Sequence, residues 1–493
     1  MEPSSTSVPR LFWLLLAALG LVVTATVVPG VFTVDEDNYL VNVVALRHGR
    51  VTVPGTEGLT PSSELVWFDP AGAGRRVTET PVASTAPPLY APLALPFSWL
   101  GWRGLVFVNV LGYLAATLLV FVYARRYATR PATPWLAAAA FALGGYAIEY
   151  AQGVWPQMLS LALTTAAAYL AARVRDGQAL GWAAAAGLLV GLATGVRYQN
   201  FFFAACVGLG IFLWTKRRFR AGFAYAAGLA VPLLVSAAWN LARLGFFNPI
   251  SKGAGYLPST QAPRRVSFVA DFFTMAWARI VDYSARPPLA STEHAKYLVA
   301  DPATGAYVIG SAVKKAWLQS APWLAVALLA LVVAWLLGRR WPAAAQRREL
   351  LALSLVVVPT LAMFSASGVT RTDGYGFNQR YFLELVPLAA IAFAWALDRV
   401  GASWRRLLRG VPAGVALGVL ALLPPPTAAP RQLALLYLPL VLALAVGAAW
   451  LLALGGRRAV AAAVLAGACL GRAATVHLGD DLVSSRGLRR VKP

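Results

Sequence analysis

Apolar residues in this chain fall in long runs divided by short polar stretches, the pattern of a polypeptide that crosses a lipid bilayer many times. The first run extends from about Leu11 to Gly30, and roughly 20 apolar residues are enough to cross the hydrocarbon core as a helix. Further runs of that length follow at about 104–124, 133–149, 154–172, 180–196, 199–215, 221–241, 319–338, 349–369, 380–398, 410–424, 431–454 and 457–474. The pattern therefore predicts an all-α polytopic membrane protein with about thirteen transmembrane helices. No internal repeat of fixed period is visible.

The polar punctuation orients these runs. Arg125 to Arg130, Arg173 to Arg175, Lys216 to Arg220, Arg339 to Arg348, Arg399 to Arg409 and Arg457-Arg458 are basic and fall on one side if every run spans. The opposite short connections, such as Glu149 to Gly153, are almost free of Lys and Arg, as the positive-inside rule requires of the outer side. This places the N-terminus in the cytoplasm and Asp35 outside. Two outer segments, about 31–103 and about 242–318, are too long to be turns and are predicted to carry short interfacial helices. In one of them Phe268, Phe272, Met275 and Arg279 recur at helical spacing. The organisation expected is a cytoplasmic N-terminus (about 1–10), a transmembrane core (about 11–400), C-terminal helices (about 401–475) and a polar tail (about 476–493).

Composition closes off other classes. The chain has 493 residues, of which 59% are hydrophobic and only 13% charged, against about 25% charged in a soluble domain. A net charge of +23 would suggest nucleic acid in a soluble protein, but here the basic residues sit between apolar runs and read as topology signals, so no nucleic-acid partner is expected. Cys206 and Cys469 both lie inside apolar runs and are not placed for a disulfide in an aqueous loop. The first run is longer than a signal-peptide core and lacks a small-x-small cleavage site, so it is expected to remain as an anchor.

Costly polar residues collect on the predicted outer side. Asp35-Glu36-Asp37 follows the first run; Glu149, Gln152 and Trp155 link the third and fourth; Arg197 to Asn200 link the fifth and sixth. Asn240, Arg243, Asn248 and Lys252 follow the seventh, and Arg371, Asp373, Asn378, Gln379, Arg380 and Glu384 surround the turn between the ninth and tenth. Ionisable groups at such depth are functional candidates. Each also has a structural reading. Thr33-Val34-Asp35-Glu36 matches a capping box, Arg197 could snorkel from a helix end, and Arg380 with Glu384 has the i, i+4 spacing of a local ion pair. His48 and His294 have no partner at metal-ligand spacing.

The order of these segments resembles the C-type superfamily of membrane glycosyltransferases, in particular bacterial members similar to family 39, the protein O-mannosyltransferase and lipid A aminoarabinose transferase group. Asp35-Glu36, Tyr39 and Gly49 resemble the acidic pair, tyrosine and helix-ending glycine that follow the family's first helix. Ala86-Pro87-Pro88-Leu89-Tyr90-Ala91-Pro92 is similar to its proline-rich loop, with Leu89 where the family has Gly. Gly187 to Arg197, Asn240 to Pro249 with Gly253 to Tyr256, and Gly376 to Leu383 resemble three further elements in the same order.

The resemblance implies transfer of a sugar from a polyprenyl-phosphate donor to a glycan, lipid or protein acceptor outside the membrane, with inversion. It further implies a bacterial cytoplasmic (inner) membrane enzyme whose site faces outside or the periplasm. Such chemistry needs a carboxylate to take the acceptor's proton and cations for the departing phosphate. Asp35 is the expected base, with Glu36 orienting it or touching the acceptor. Arg380 and Lys252, with Arg197 and Arg371, are the expected phosphate ligands. Tyr39, Tyr90, Trp155, Asn240, Tyr256 and Gln379 are expected to contact substrate. Asp35 and Glu36 could instead hold a divalent cation. The competing reading is a transporter or flippase of a lipid-linked sugar, which would place ionisable residues and broken helices near the bilayer midplane.

Overall fold

The computed structural model describes residues 8–27, 34–51, 53–56, 77–82, 86–250, 295–300, 307–312, 316–321, 323–336, 344–366 and 379–399, with isolated residues between 273 and 280. They divide into two compact units, Met1–Val122 with Tyr150–Leu257, and Tyr123–Glu149 with Pro258–Pro493.

The first unit begins with α1 (Arg10–Ala25) and α2 (Val34–Arg47), followed by a small antiparallel hairpin of β1 (Val53–Thr56) and β2 (Val77–Val82), with Val53 opposite Val82. A short α3 (Tyr90–Ala94) runs into a 3-10 turn (Leu95–Leu100) and then α4 (Trp102–Arg126). After residue 150 come α7 (Gln157–Arg175), α8 (Gly181–Val196), α9 (Asn200–Trp214) and α10 (Arg218–Leu244). Helices α8 and α10 pack backbone against backbone. A Cβ on Gly187 would overlap the Tyr225 carbonyl oxygen, and one on Gly228 would overlap that of Ala184. Small residues permit this approach between apolar helices, where lipid tails compete equally for large side chains. The outward faces of α1 (Leu11, Leu14, Leu21) and α10 (Phe219, Phe223, Leu234) are exposed and apolar, as lipid contact requires.

The second unit holds the last turn of α4, then α5 (Thr133–Ala142), the start of α6 (Ala147–Ala151), a hairpin of β3 (Ala295–Ala300) and β4 (Tyr307–Ala312), α11 (Trp317–Ser320), α12 (Leu324–Leu336), α13 (Ala344–Ala366), a 3-10 turn (Arg380–Leu385) and α14 (Val386–Arg399). Its core is α14, buried from Val386 to Asp398. The Asp398 carboxylate is tied across the fold, accepting from Thr129 N at 2.7 Å, Thr129 Oγ1 at 2.8 Å and Gln346 Nε2 at 3.4 Å. Buried Glu349 accepts from Tyr123 Oη at 3.0 Å.

Among the described residues three helical segments are long and apolar enough to cross a membrane: Trp102–Arg126, Arg218–Leu244 and Arg380–Arg399. Five shorter apolar helices accompany them, Arg10–Ala25, Thr133–Ala142, Gly181–Val196, Asn200–Trp214 and Leu324–Leu336. This is a multi-pass membrane protein. Several predicted runs are interrupted. The run at 133–149 breaks at Leu143 to Tyr146, where consecutive Gly144 and Gly145 weaken the helix. The Gly144 carbonyl so released accepts from Trp323 Nε1 at 2.6 Å, and Tyr146 Oη donates to the Gln379 carbonyl at 3.0 Å. The run at 319–338 breaks around the proline at position 322, which lacks an N–H. The hairpins β1–β2 and β3–β4 lie in the two long segments predicted to be outside and were not signalled by any two-residue periodicity in the sequence. The predicted runs at 410–424, 431–454 and 457–474 lie outside the described residues.

Candidate active site

Helix α2 opens with Asp35-Glu36-Asp37 and ends in a turn that its sequence dictates. Gly49 has φ of 70°, and the N–H groups of Gly49 and Arg50 return to the carbonyls of Leu46 (2.9 Å) and Ala45 (2.9 Å), the paired bonds of a glycine C-cap. Glu36, Leu40, Val43 and Val44 form the buried stripe of the helix, so one acidic side chain occupies a position that periodicity reserves for apolar residues.

The reason lies in the loop between α6 and α7. Glu36 Oε1 accepts from the buried Val154 N–H at 2.9 Å. Asn109, from α4, donates through Nδ2 to the Gly153 carbonyl at 2.7 Å and the Trp155 carbonyl at 2.5 Å. Tyr90 Oη donates to the Val154 carbonyl at 3.3 Å, and Gln152 Nε2 donates to the Val23 carbonyl and Thr26 Oγ1 at the end of α1. Tyr39 meets Tyr90 edge to face at 5.2 Å, and Trp155 stacks on Tyr150 at 5.7 Å. Burial, with Tyr39 and Glu36 alongside, raises the Tyr90 hydroxyl far above the ordinary tyrosine range. It therefore stays protonated and keeps its donor role.

Two further segments close the same end of this unit. Arg197 ends α8, is 5% exposed, and its Nη1 lies 2.6 Å from the Gln157 amide, a contact that assigns the amide oxygen to that side as acceptor. Asn200 Nδ2 bonds Ser160 Oγ at 2.7 Å and the Ala193 carbonyl at 2.9 Å. At the end of α10, Arg243 Nη2 reaches the Ala86 carbonyl and Asn240 Oδ1, both at 2.8 Å, while Asn240 Nδ2 donates to the Asn248 carbonyl at 2.7 Å. The proline-rich segment is thus fastened to α10 through one guanidinium. A small hollow lies here, with Arg50, Trp239 and Arg243 in its wall.

In the second unit Arg380 is 9% exposed, its guanidinium 5.1 Å from the Tyr381 ring centre and its Nη2 3.3 Å from Tyr381 Oη. Tyr381 in turn stacks on Phe364 at 5.6 Å. Arg380–Leu385 is a 3-10 turn rather than the start of an α-helix. With three residues per turn Arg380 eclipses Leu383, so the i, i+4 spacing to Glu384 is no longer an argument for a local pair. Gln379 is buried, and its carbonyl holds Tyr146. Arg279 is also buried and donates to the Phe364 carbonyl.

Of the residues expected from sequence, Glu36, Tyr39, Tyr90, Trp155, Arg197 and Asn240 come together in the first unit, whereas Gln379 and Arg380 belong to the second. Lys252, Tyr256, Arg371 and the Asp35 side chain lie outside what the structure describes. Asn109 and Gln157 were not expected. The signal for Asn109 was present as an amide in the middle of an apolar run. Among the described residues no three His, Cys, Asp or Glu side chains gather in a metal-binding arrangement.

No family model matches this sequence, and no curated protein is similar to it at a significant level. Solved structures do resemble it. The arabinosyltransferase EmbB of Mycobacterium smegmatis superposes with a TM-score of 0.50 at 14% identity, covering 100% of this chain and 43% of its own. The fold is shared with EmbB. ArnT of Cupriavidus metallidurans, solved with undecaprenyl phosphate bound, gives a TM-score of 0.49 at 15% identity over 98% of this chain and 79% of its own. The Archaeoglobus fulgidus oligosaccharyltransferase gives 0.41 at 13% identity over 94% of this chain and 55% of its own. The chain thus spans less than half the length of EmbB, and the likeness is one of fold.

Proposed function

We propose that this protein is an inverting membrane glycosyltransferase that moves a sugar from a polyprenyl-phosphate carrier to an acceptor hydroxyl outside the membrane. The observation that carries the reading is the acidic start of α2, anchored through Glu36 to the Val154 N–H, within a fold shared with an arabinosyltransferase. The ordered motifs point to the same chemistry. The acceptor oxygen attacks the anomeric carbon and loses its proton to Asp35. The bond from that carbon to the phosphate oxygen breaks, and the phosphate leaves with the electron pair. Arg380, Lys252, Arg197 and Arg371 are the cations assigned to it, the arginines through two-pronged hydrogen bonds and Lys252 as a point charge. Glu36, committed to the loop, orients the start of α2 beside its neighbour.

Sugar transfer by purified protein in lipid nanodiscs, with a panel of polyprenyl-phosphate sugars, tests the reading. Asp35→Asn should lower turnover about 100-fold, while loss of a first-turn charge costs only about 0.3–1 kcal/mol of stability. Donor binding should survive. If the wild-type protein transferred no sugar and instead carried the intact lipid-linked sugar across vesicle membranes, the enzyme reading would fall.

A further inference from the structure

The peptide group joining Gly153 to Val154 is gripped at both ends. Its oxygen accepts from Asn109 Nδ2 at 2.7 Å, and its N–H donates to Glu36 Oε1 at 2.9 Å. A trans peptide is planar, with C=O and N–H pointing in opposite directions, so holding the oxygen fixes where the hydrogen points. Asn109 repeats the grip two residues on, at the Trp155 carbonyl. The two bonds to one amide nitrogen set both the height and the rotation of the loop.

Asn109 lies within membrane-spanning α4 and is fully buried. Its Oδ1 has no hydrogen-bond partner among the described residues. A buried acceptor left unpaired is a cost, and Leu or Val would avoid it at this depth. What the amide supplies in return is the pair of donor bonds to the loop.

We propose that Asn109 is the positioning residue for the Glu36 carboxylate, acting through the Gly153–Val154 peptide plane. This rests on the reading of the α2 start as the catalytic end of the molecule. In the wild-type enzyme the loop N–H meets Glu36 already aligned, which fixes the first turn of α2 before substrate arrives. Without the Asn109 grip the peptide is free to rotate, and Glu36 loses its fixed partner. Misplacement of a catalytic element by about 1 Å can cost on the order of 100-fold in rate.

The test combines kinetics with a measurement that does not need turnover. In Asn109→Ala, kcat for sugar transfer should fall about 10- to 100-fold, with KM for the lipid donor changed less than about 2-fold because the donor's phosphate ligands are elsewhere. Asn109→Ser retains one small donor and should fall between wild type and Ala. Hydrogen exchange at the Val154 amide should quicken about 10-fold or more in Asn109→Ala. That effect should be non-additive with Glu36→Gln in a double-mutant cycle. Full kcat in Asn109→Ala, unchanged Val154 protection, or strict additivity with Glu36→Gln would each overturn the proposal. Failure of both variants to fold would also overturn it, in favour of a purely structural asparagine. If the wild-type protein transfers no sugar, the glycosyltransferase reading fails alone, and exchange and the double-mutant cycle still decide the role of Asn109.

Discussion

Glu36 joins a structural bond to a chemical position, and two substitutions separate them. Glu36→Gln keeps the shape and an acceptor oxygen for Val154 N–H but removes the charge. A hydrogen bond to a charged partner contributes about 1.5–3 kcal/mol and a neutral one about 0.5–1.5 kcal/mol, so the expected loss is about 1 kcal/mol. Glu36→Ala removes the acceptor as well. Val154 is fully buried, and stranding its N–H costs about 1–3 kcal/mol; the one side-chain methylene lost from a buried site adds about 0.8 kcal/mol. The Ala variant should therefore be less stable than the Gln variant by about 1–3 kcal/mol on these figures. Thermal unfolding in nanodiscs, with hydrogen exchange followed over residues 150–158, reads both quantities. Equal destabilisation by Gln and Ala would mean that the charge, not the acceptor, carries the interaction. Wild-type stability in both would mean that the Val154 contact contributes nothing, and the reasoning about the loop would be wrong.

Three further outcomes are expected. Arg380→Lys keeps a positive charge but loses the planar fork and its stacking on Tyr381, so kcat/KM should fall about 10-fold or more in a folded protein; unchanged kcat/KM would remove Arg380 from the phosphate site. Asp398→Ala strips the acceptor from Thr129 and Gln346 and should cost about 3–5 kcal/mol in thermal unfolding. Nearby Arg130, half exposed at 3.8 Å, adds little to that figure, and turnover per folded molecule should not change. Single cysteines replacing Lys252 should react with a membrane-impermeant reagent in intact cells, and those replacing Arg217 or Arg340 should not; protection of the Lys252 position would reverse the predicted topology.

Hydropathy and charge alternation located the helices well where nothing interrupts them: α4, α8, α9 and α10 lie within a few residues of the predicted runs. They failed where a local breaker is answered by a distant partner. Gly144-Gly145 lies inside an apolar run, and only the bond from Trp323, 179 residues away, makes the break useful. The acidic start of α2 was legible because charge at a membrane boundary is costly, and Gly49 was legible as a helix stop. Neither feature could reveal that Glu36 bonds a backbone group 118 residues later, because a backbone N–H has no signature in sequence. Arg380 was identified as a candidate, but its 3-10 turn was not, since helical spacing alone does not distinguish three residues per turn from 3.6.

The position of α1 has a consequence for the order of assembly. Its buried residues are Phe12, Gly20 and Val23, and they meet Phe121 and Leu114 on α4 and the side chain of Gln152. Every one of those partners is synthesised later than α1. Helix α1 therefore enters the bilayer before these partners exist, and Glu36 emerges with its Val154 partner still to be made. At about 5–20 residues per second, the 118 residues between them take roughly 6–24 s to translate. For that interval the carboxylate must be kept wet, so this end of the first unit matures only when the loop before α7 arrives to cover it.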